Sequence, residues 1–262
     1  MSLLSWIILF SLLGGTLSVL AASAFLLLNE AARARMLPHF VSFAIGAMLG
    51  AALLGLLPHA LEGAGEQSVH LVSLTLLLGL LAFFLLEKMV LWRHCHTEHC
   101  EAHDPEPHGH HHAPAGTLII IGDSIHNFVD GVLIAAAFLT DIHLGVVTAL
   151  AVAAHEIPQE VGDFAILLHS GFSRGRALFF NMLSTFTTVI GGVLAYYSLK
   201  GVQQALPYIL AIAASSFLYI AVADLIPGLH KRPEIADTAK QVTLIGLGVA
   251  LIYVSHIFLG NV

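Results

Sequence analysis

Residues 69–92 read VHLVSLTLLLGLLAFFLLEKMVLW, a continuous apolar stretch in which only Glu87 and Lys88 are charged. A transmembrane helix needs about 20 consecutive, mostly apolar residues, and this stretch is long enough. Comparable stretches lie near residues 4–28, 39–61, 117–140, 143–169, 177–199, 205–229 and 241–260. The sequence therefore predicts an all-α membrane protein with eight transmembrane helices, numbered in chain order.

The composition of the whole chain agrees with this prediction. Apolar residues make up 57% of the chain and charged residues 10%, with a mean hydropathy of +0.87. Soluble domains carry about 25% charged residues. The apolar stretches are continuous, whereas a membrane β-barrel needs alternating segments. We expect one transmembrane domain over residues 1–262, with the lipid bilayer and not nucleic acid as its surroundings.

The Lys and Arg residues are concentrated on one side of the predicted bundle. Only Lys200 falls in a loop on the other side, and the rest follow helices 1, 3, 5 and 7: Arg33, Arg35, Lys88, Arg93, Arg174, Arg176, Lys231, Arg232 and Lys240. The positive-inside rule places those loops in the cytoplasm and both termini outside. The short length and the lack of an extracellular domain favour a prokaryotic inner membrane, with an organelle membrane as the alternative.

Helix 4 carries an unusual set of polar residues in Gly122-Asp123-Ser124-Ile125-His126-Asn127-Phe128-Val129-Asp130-Gly131. His126 and Asp130 are four residues apart, so they face the same way on a helix, and Asn127 lies about 100° around from His126. All three side chains can bind a metal ion. The spacing predicts a polar patch inside the membrane.

Helix 5 contains a second polar set in His155-Glu156-Ile157-Pro158-Gln159-Glu160, with Asp163 one turn further on. His155 and Gln159 share one face, and Glu156 and Glu160 share another. Pro158 frees the carbonyl of Ala154 and favours a kink, which is tolerated at membrane depth where the backbone lines a cavity or meets a ligand. The candidate ligands therefore gather where the helix opens.

The acids of these two helices need a compensating partner. One unpaired acid at the centre of a bilayer costs about 2.5–3.5 kcal/mol, and no Lys or Arg lies within either helix. A divalent metal ion supplies the missing charge most directly. Hydrogen bonding between helices is the alternative, and it accounts better for the helix 6 residues Asn181, Ser184, Thr185, Thr187 and Thr188.

Three further features bear on a metal route. Asp224 and His59 are polar residues within helices 7 and 2, and we expect them to line the route. Pro58 and Pro227 lie near the ends of those helices, which suggests an inverted repeat of helices 1–3 and 6–8. The loop 94–114 carries eight histidines with Cys95 and Cys100, so we expect a disordered cytoplasmic segment that receives or senses metal.

The motifs of helices 4 and 5 resemble those of the ZIP (Zrt/Irt-like) family of metal transporters, in the branch that carries HNFxDG and HExPHExGDFA. The matching residues are His126-Asn127-Phe128-Val129-Asp130-Gly131, His155-Glu156-Ile157-Pro158, Glu160 and Gly162-Asp163-Phe164-Ala165. The resemblance implies two metal positions at mid-membrane. It implies one position formed by His126, Asp130, His155 and residue 159, and another drawing on Asn127 and Glu156.

Two departures from that pattern concern metal choice. Gln159 replaces a histidine, and helix 6 offers Thr187 and Thr188 where some relatives have an acid. A site richer in oxygen shifts preference toward iron or manganese. We therefore expect import of a divalent metal into the cytosol, with zinc first and iron, manganese and cadmium as further candidates, by a protein that forms a homodimer or acts alone and needs no catalytic cofactor.

Two other classes of function compete with transport. An intramembrane metalloenzyme, a hydrolase or oxygenase, would use Glu156 or Glu160 as a general base, but His155-Glu156 lacks the second histidine of the HExxH pattern at Gln159. A regulatory metal sensor would bind the ion without moving it. A measurement of metal flux discriminates among the three.

Overall fold

The computed structural model describes residues 2–94, 113–230 and 234–260. These ranges contain helices and no strand, which confirms the predicted all-α fold. Eight long helices follow one another along them: α1 Leu3–Phe25, α2 Glu30–Ala64, α3 Val69–His94, α4 Ala113–Thr140, α5 Ile142–His169, α6 Arg174–Leu199, α7 Gln203–Leu229 and α8 Ile235–Gly260. The histidine-rich segment 95–112, expected to be disordered, lies outside the described residues, while α3 and α4 cover both of its predicted edges.

Polar side chains cap the first turn of several of these helices, and the connections between the helices are short. The Asn29 side chain accepts a hydrogen bond from the Ala32 amide at 2.8 Å, at the start of α2. Asp141 does the same for the amides of His143 and Leu144 at 2.8 and 2.9 Å, at the start of α5. Each cap satisfies amides that have no partner within the helix. Neighbouring helices therefore turn back directly through the membrane.

Helix α5 occupies the centre of the bundle. Seven of the eight helices are long and apolar enough to cross a membrane by themselves, and the exception is α5, which carries Glu156, Glu160 and Asp163. It packs against α1, α2, α4, α6 and α8. The outer helix α3, by contrast, exposes a row of leucines. The most polar helix is therefore shielded from lipid by its neighbours.

The helix pairs are arranged with an internal symmetry. Helix α2 packs on α8 as α7 packs on α3, and α1 packs on α5 as α6 packs on α4. The pairs α1–α6 and α4–α5 also pack together. If α1 is exchanged with α6, α2 with α7, α3 with α8 and α4 with α5, this set of contacts stays the same. The arrangement supports the expected repeat of helices 1–3 and 6–8.

The two helices that carry the matched prolines are also irregular in the same way. Helix α2 passes through a π-helical turn at Ala51–Leu56 just before Pro58, and α7 passes through another at Ile220–Leu225 just before Pro227. A π turn places one extra residue in an α-helix and often marks a functional site. Both halves of the molecule therefore contain the same local deformation.

Helices α4 and α6 approach each other closely at two glycines. A Cβ atom on Gly131 would lie 1.9 Å from the Thr188 carbonyl oxygen, and one on Gly191 would lie 2.1 Å from the Phe128 carbonyl oxygen. Only glycine permits this separation, because any larger residue would overlap the facing backbone. The contact fixes α4, and with it the polar patch of Asp130, against α6.

Candidate metal centre

Four side chains from α4 and α5 converge inside the bundle. His126 and Asp130 come from α4, His155 and Glu156 come from α5, and one ligand atom of each lies within 4.8 Å of all the others. Among the residues that the structure describes, this is the one group of three or more His, Cys, Asp or Glu side chains placed in this way. The i, i+4 spacing on α4 and the adjacent pair on α5 produce the convergence.

The distances between these atoms are short. Nε2 of His126 lies 3.2 Å from Nε2 of His155, 3.6 Å from Oδ2 of Asp130 and 3.7 Å from Oε1 of Glu156. Nε2 of His155 lies 3.3 Å from the same Asp130 oxygen. Atoms held about 2.1 Å from a zinc ion at tetrahedral angles lie roughly 3.4 Å from one another. Four of the six pairs therefore have separations close to those of a tetrahedral set of ligands, and the other two pairs lie within 4.8 Å.

The ring of His155 is oriented for metal binding. Its Nδ1 lies 3.1 Å from the carbonyl oxygen of Ala151, one turn earlier on α5. The carbonyl can only accept, so Nδ1 carries the proton and Nε2 presents its lone pair to the cluster. A hydrogen bond to the second ring nitrogen of this kind fixes the tautomer of metal-binding histidines. The backbone of α5 therefore prepares His155 as a neutral nitrogen ligand.

The carboxylates of the cluster are buried, and the ionisable groups that face them at ion-pair distance are the two histidines. Oδ2 of Asp130 and both side-chain oxygens of Glu156 are inaccessible and accept no hydrogen bond from the described residues. Within the same part of the chain, no Lys or Arg lies within 4.0 Å of either acid. Unpaired buried charge is strongly unfavourable. The arrangement is that of a site in which a bound cation completes the coordination.

Access to the cluster is unequal. The side chain of His126 is 27% exposed, while those of Asp130, His155 and Glu156 are almost fully buried. The ring of Phe217, on α7, packs against the ring of His155 at 5.8 Å. An ion would therefore meet His126 first, and Phe217 forms part of the opposite wall.

Asn127 and Gln159 lie outside this group of four. The Asn127 amide donates hydrogen bonds to the side chain and backbone oxygens of Asp123 at 2.8 and 3.2 Å, and its oxygen accepts from the Thr188 hydroxyl at 2.8 Å. Gln159 also interacts with Asp123. The resemblance grouped residue 159 with the two histidines; Gln159 lies beside Asp123 in the structure, and its place among the ligands stays a prediction.

A second acid of the helix 5 motif, Glu160, faces α6. Glu160 is fully buried and accepts hydrogen bonds from the Asn181 amide at 2.5 Å and from the Thr185 hydroxyl at 3.3 Å. Thr187 donates to the Ser124 carbonyl at 2.7 Å. Helix 6 therefore joins α4 and α5 by side-chain hydrogen bonds, which confirms the interpretation given to its polar residues.

Two residues near the site have no role predicted from the sequence. Asp123 is buried and links Asn127 to Gln159, and Phe217 covers His155. The acid could have been suspected, because it lies within a span and precedes His126 by three residues. No local pattern signals the contact of Phe217, since it comes from a helix more than 60 residues away in sequence.

The fold and the cluster define a multi-pass membrane protein with a buried group of nitrogen and oxygen ligands that could hold a metal ion. Comparison with known proteins agrees with that class. The family model described as ZIP Zinc transporter matches residues 2–114 and 91–256. The chain is 32% identical over 248 residues to zinc transporter ZIP13 of Pongo abelii, covering 88% of this chain and 70% of the relative.

Two other relatives show the same likeness. Zinc transporter ZIP13 of Mus musculus is 33% identical over 268 residues, covering 88% of this chain and 73% of the relative. Zinc transporter ZIP4 of Homo sapiens is 32% identical over 285 residues, covering 84% of this chain and 43% of the relative. The chain therefore belongs to the ZIP zinc transporter family, as the motifs of helices 4 and 5 predicted.

Proposed function

We propose that this chain carries zinc across the membrane by binding it between His126, Asp130, His155 and Glu156. The observation that carries the proposal is the convergence of two imidazoles and two carboxylates whose inner oxygens have no other partner in the described residues. Two nitrogen and two oxygen ligands in a tetrahedral arrangement suit zinc. The names of the ZIP13 and ZIP4 relatives support the same substrate.

The position of Asn127 and Gln159 bears on metal choice. Both side chains interact with Asp123 and leave the first four ligands as two nitrogens and two oxygens. In this proposal the oxygen ligands are the carboxylates of Asp130 and Glu156, and Gln159 stays with Asp123. We propose zinc as the preferred ion, with cadmium, iron and manganese as competitors of lower affinity.

We further propose that Asp224 belongs to the route between the site and one membrane surface. Asp224 lies in the π turn of α7 and is within electrostatic range of both His126 and Glu87. Glu87 of α3 accepts a hydrogen bond from the Tyr219 hydroxyl. Acids placed in sequence from the exposed side of the site attract a cation along that path. His59, whose Nδ1 lies 2.9 Å from the Gly55 carbonyl oxygen, is proposed for the other side.

The orientation in the membrane is proposed from the distribution of charge. Arg33, in the first turn of α2, and Arg174, at the start of α6, line one cavity and therefore lie at the same end of the bundle. Excess basic residues favour the cytoplasmic side, so both termini would lie outside, and the import of zinc into the cytosol stays a prediction. The animal relatives give no support to the prokaryotic inner membrane expected from the sequence, and the homodimer stays a prediction.

The test is zinc uptake into proteoliposomes loaded with a fluorescent chelator. We expect His126→Ala with His155→Ala to reduce the initial rate to the background of empty vesicles, because both nitrogen ligands are lost. A matched control is His39→Ala with His143→Ala, since these histidines lie on α2 and α5 and outside the cluster. Undiminished uptake by the first variant would overturn the assignment.

The same experiment decides between a transporter, an enzyme and a sensor. An enzyme or a sensor would bind zinc at these residues without net flux. The structure favours transport over a hydrolase, because Glu160 is held by Asn181 and Thr185 rather than directed at the cluster. Zinc binding by the purified protein with no flux in vesicles would reject the transport proposal and leave the site intact.

A further inference from the structure

A cavity of about 620 Å³ lies at the end of the bundle where the α1–α2 and α5–α6 connections meet. Its polar lining includes Arg33 and Arg174, and its apolar lining includes Leu26, Phe164 and Leu178. The cavity is separate from the metal cluster, because none of its lining residues belongs to that group of four. Its volume is in the range of small-molecule sites, about 300–1,000 Å³.

One of the two arginines of this cavity has a buried nitrogen without a partner. Nε of Arg33 is buried and makes no hydrogen bond, and the buried hydroxyl of Ser23, which also lines the cavity, makes none either. Within the described residues, neither Arg33 nor Arg174 has a carboxylate within 4.0 Å. Arg176, which does not line the cavity, instead packs over the Phe172 ring at 5.1 Å. An arginine nitrogen that is withdrawn from water without a partner indicates a missing anionic ligand.

The charge around the cavity selects the kind of anion. Arg33 and Arg174 contribute two positive charges and Glu30, which also lines the cavity, contributes one negative charge. His169 has its Nδ1 2.7 Å from the Ala165 carbonyl oxygen, which leaves its Nε2 to face a ligand. The excess is one positive charge, which a phosphodiester with one negative charge balances. One guanidinium group can donate two parallel hydrogen bonds to two oxygens of the same phosphate.

We propose that this cavity binds an anionic phospholipid, with its phosphate at Arg33 and Arg174 and an acyl chain along Leu26, Phe164 and Leu178. Basic pockets between transmembrane helices are known to hold anionic headgroups. A free phosphate ion would contact only the polar half of the lining. A phospholipid would contact both halves, with its headgroup at the polar half and an acyl chain at the apolar half. The lipid would join the connection before α2 to the start of α6, beside the last turns of α5.

The test is native mass spectrometry of the detergent-purified protein with equal concentrations of phosphatidylglycerol and phosphatidylcholine. We expect the wild-type protein to retain one phosphatidylglycerol with a preference of at least about tenfold, equivalent to about 1.4 kcal/mol. The variant Arg33→Gln with Arg174→Gln should reduce this preference to within about twofold. The matched control, Arg35→Gln with Arg176→Gln, removes two neighbouring arginines outside the cavity and should keep the full preference.

Two further measurements distinguish a bound lipid from a bound phosphate ion. Inorganic phosphate added in tenfold excess should not displace phosphatidylglycerol, and displacement would show a site for the free anion and overturn the lipid. Leu178→Trp narrows the apolar half while keeping both arginines, and should reduce retention at least about fivefold if the acyl chain lies there. Unchanged retention in Leu178→Trp, an unchanged preference in the cavity variant, or an equal loss in the control would each overturn the proposal.

Discussion

Glu156 is the residue that tests the carboxylate part of the metal cluster. Both of its carboxylate oxygens are buried without a hydrogen-bond partner in the described residues. Glu156→Gln removes this charge, so we expect zinc affinity to fall at least about tenfold, as for the loss of a direct ligand. The zinc-free protein should keep its stability to within about 1 kcal/mol, because a buried carboxyl group without a hydrogen-bond partner takes up a proton when no zinc is bound and glutamine matches that neutral form. Isothermal titration and thermal unfolding without zinc measure the two effects.

A suitable control for Glu156→Gln is Asp237→Asn. Asp237 pairs with Lys240 at 3.3 Å near the surface, where the Lys240 side chain is 59% exposed. Exposed pairs contribute about 0–1 kcal/mol, so neither zinc affinity nor stability should change much. A Glu156→Gln protein that binds zinc as tightly as the wild type would remove Glu156 from the ligand set.

His155 sets the nitrogen content of the site and therefore its choice of metal. Its replacement in His155→Asp leaves His126 as the single nitrogen ligand beside three carboxylates. Oxygen-rich sites suit manganese, whereas imidazole suits zinc. We expect the ratio of zinc to manganese uptake to fall at least about tenfold in a competition assay. His143→Asp is the control, because His143 also lies on α5 but outside the cluster.

At the scale of single helices, the separation of α4 from α6 is set by glycine. A Cβ atom on Gly131 would overlap the Thr188 carbonyl oxygen, so Gly131→Ala must push the two helices apart. We expect a loss of at least about 3 kcal/mol of stability, at the upper end of overpacking effects, and a loss of zinc uptake because Asp130 moves with the backbone. Thermal unfolding and vesicle uptake measure both.

Gly122→Ala provides the matched control on the same helix. A Cβ atom at Gly122 meets nothing within 4 Å, and alanine is favoured over glycine in helices by about 1 kcal/mol. The control should fold at least as well as the wild type and transport at the same rate. Equal behaviour of the two variants would show that the α4–α6 contact does not position the site.

The helices and the site could be predicted from sequence to different depths. The spans, the pairing of His126 with Asp130 and the importance of His155 with Glu156 follow from local spacing, which a helix converts directly into geometry. The partner of Asn127 does not follow in this way. Its hydrogen bond to Thr188 depends on how α6 packs against α4, and that packing depends on glycines whose role appears only in three dimensions.

The molecule as a whole is built from two halves that share one irregularity. Helices α2 and α7 each contain a π turn followed by a proline, and each packs against the last helix of the opposite half. The α4–α5 pair that holds the cluster contacts both of these helices. A change of shape in α2 and α7 would therefore act on the site from opposite sides, which is the arrangement expected for alternating access.

The π turns offer a direct test of that idea. Deletion of one exposed residue from each turn, Leu54 in α2 and Val222 in α7, would remove the extra residue and restore a regular helix without altering the register beyond it. We expect the double deletion to bind zinc at the cluster with affinity within about threefold of the wild type. The four ligands lie on α4 and α5, and the deletions leave the sequence of both helices unchanged. Uptake into vesicles should fall at least about tenfold if the π turns supply the change of shape. Normal uptake with normal binding would show that α2 and α7 work as rigid helices, and loss of binding would show that the turns shape the site itself.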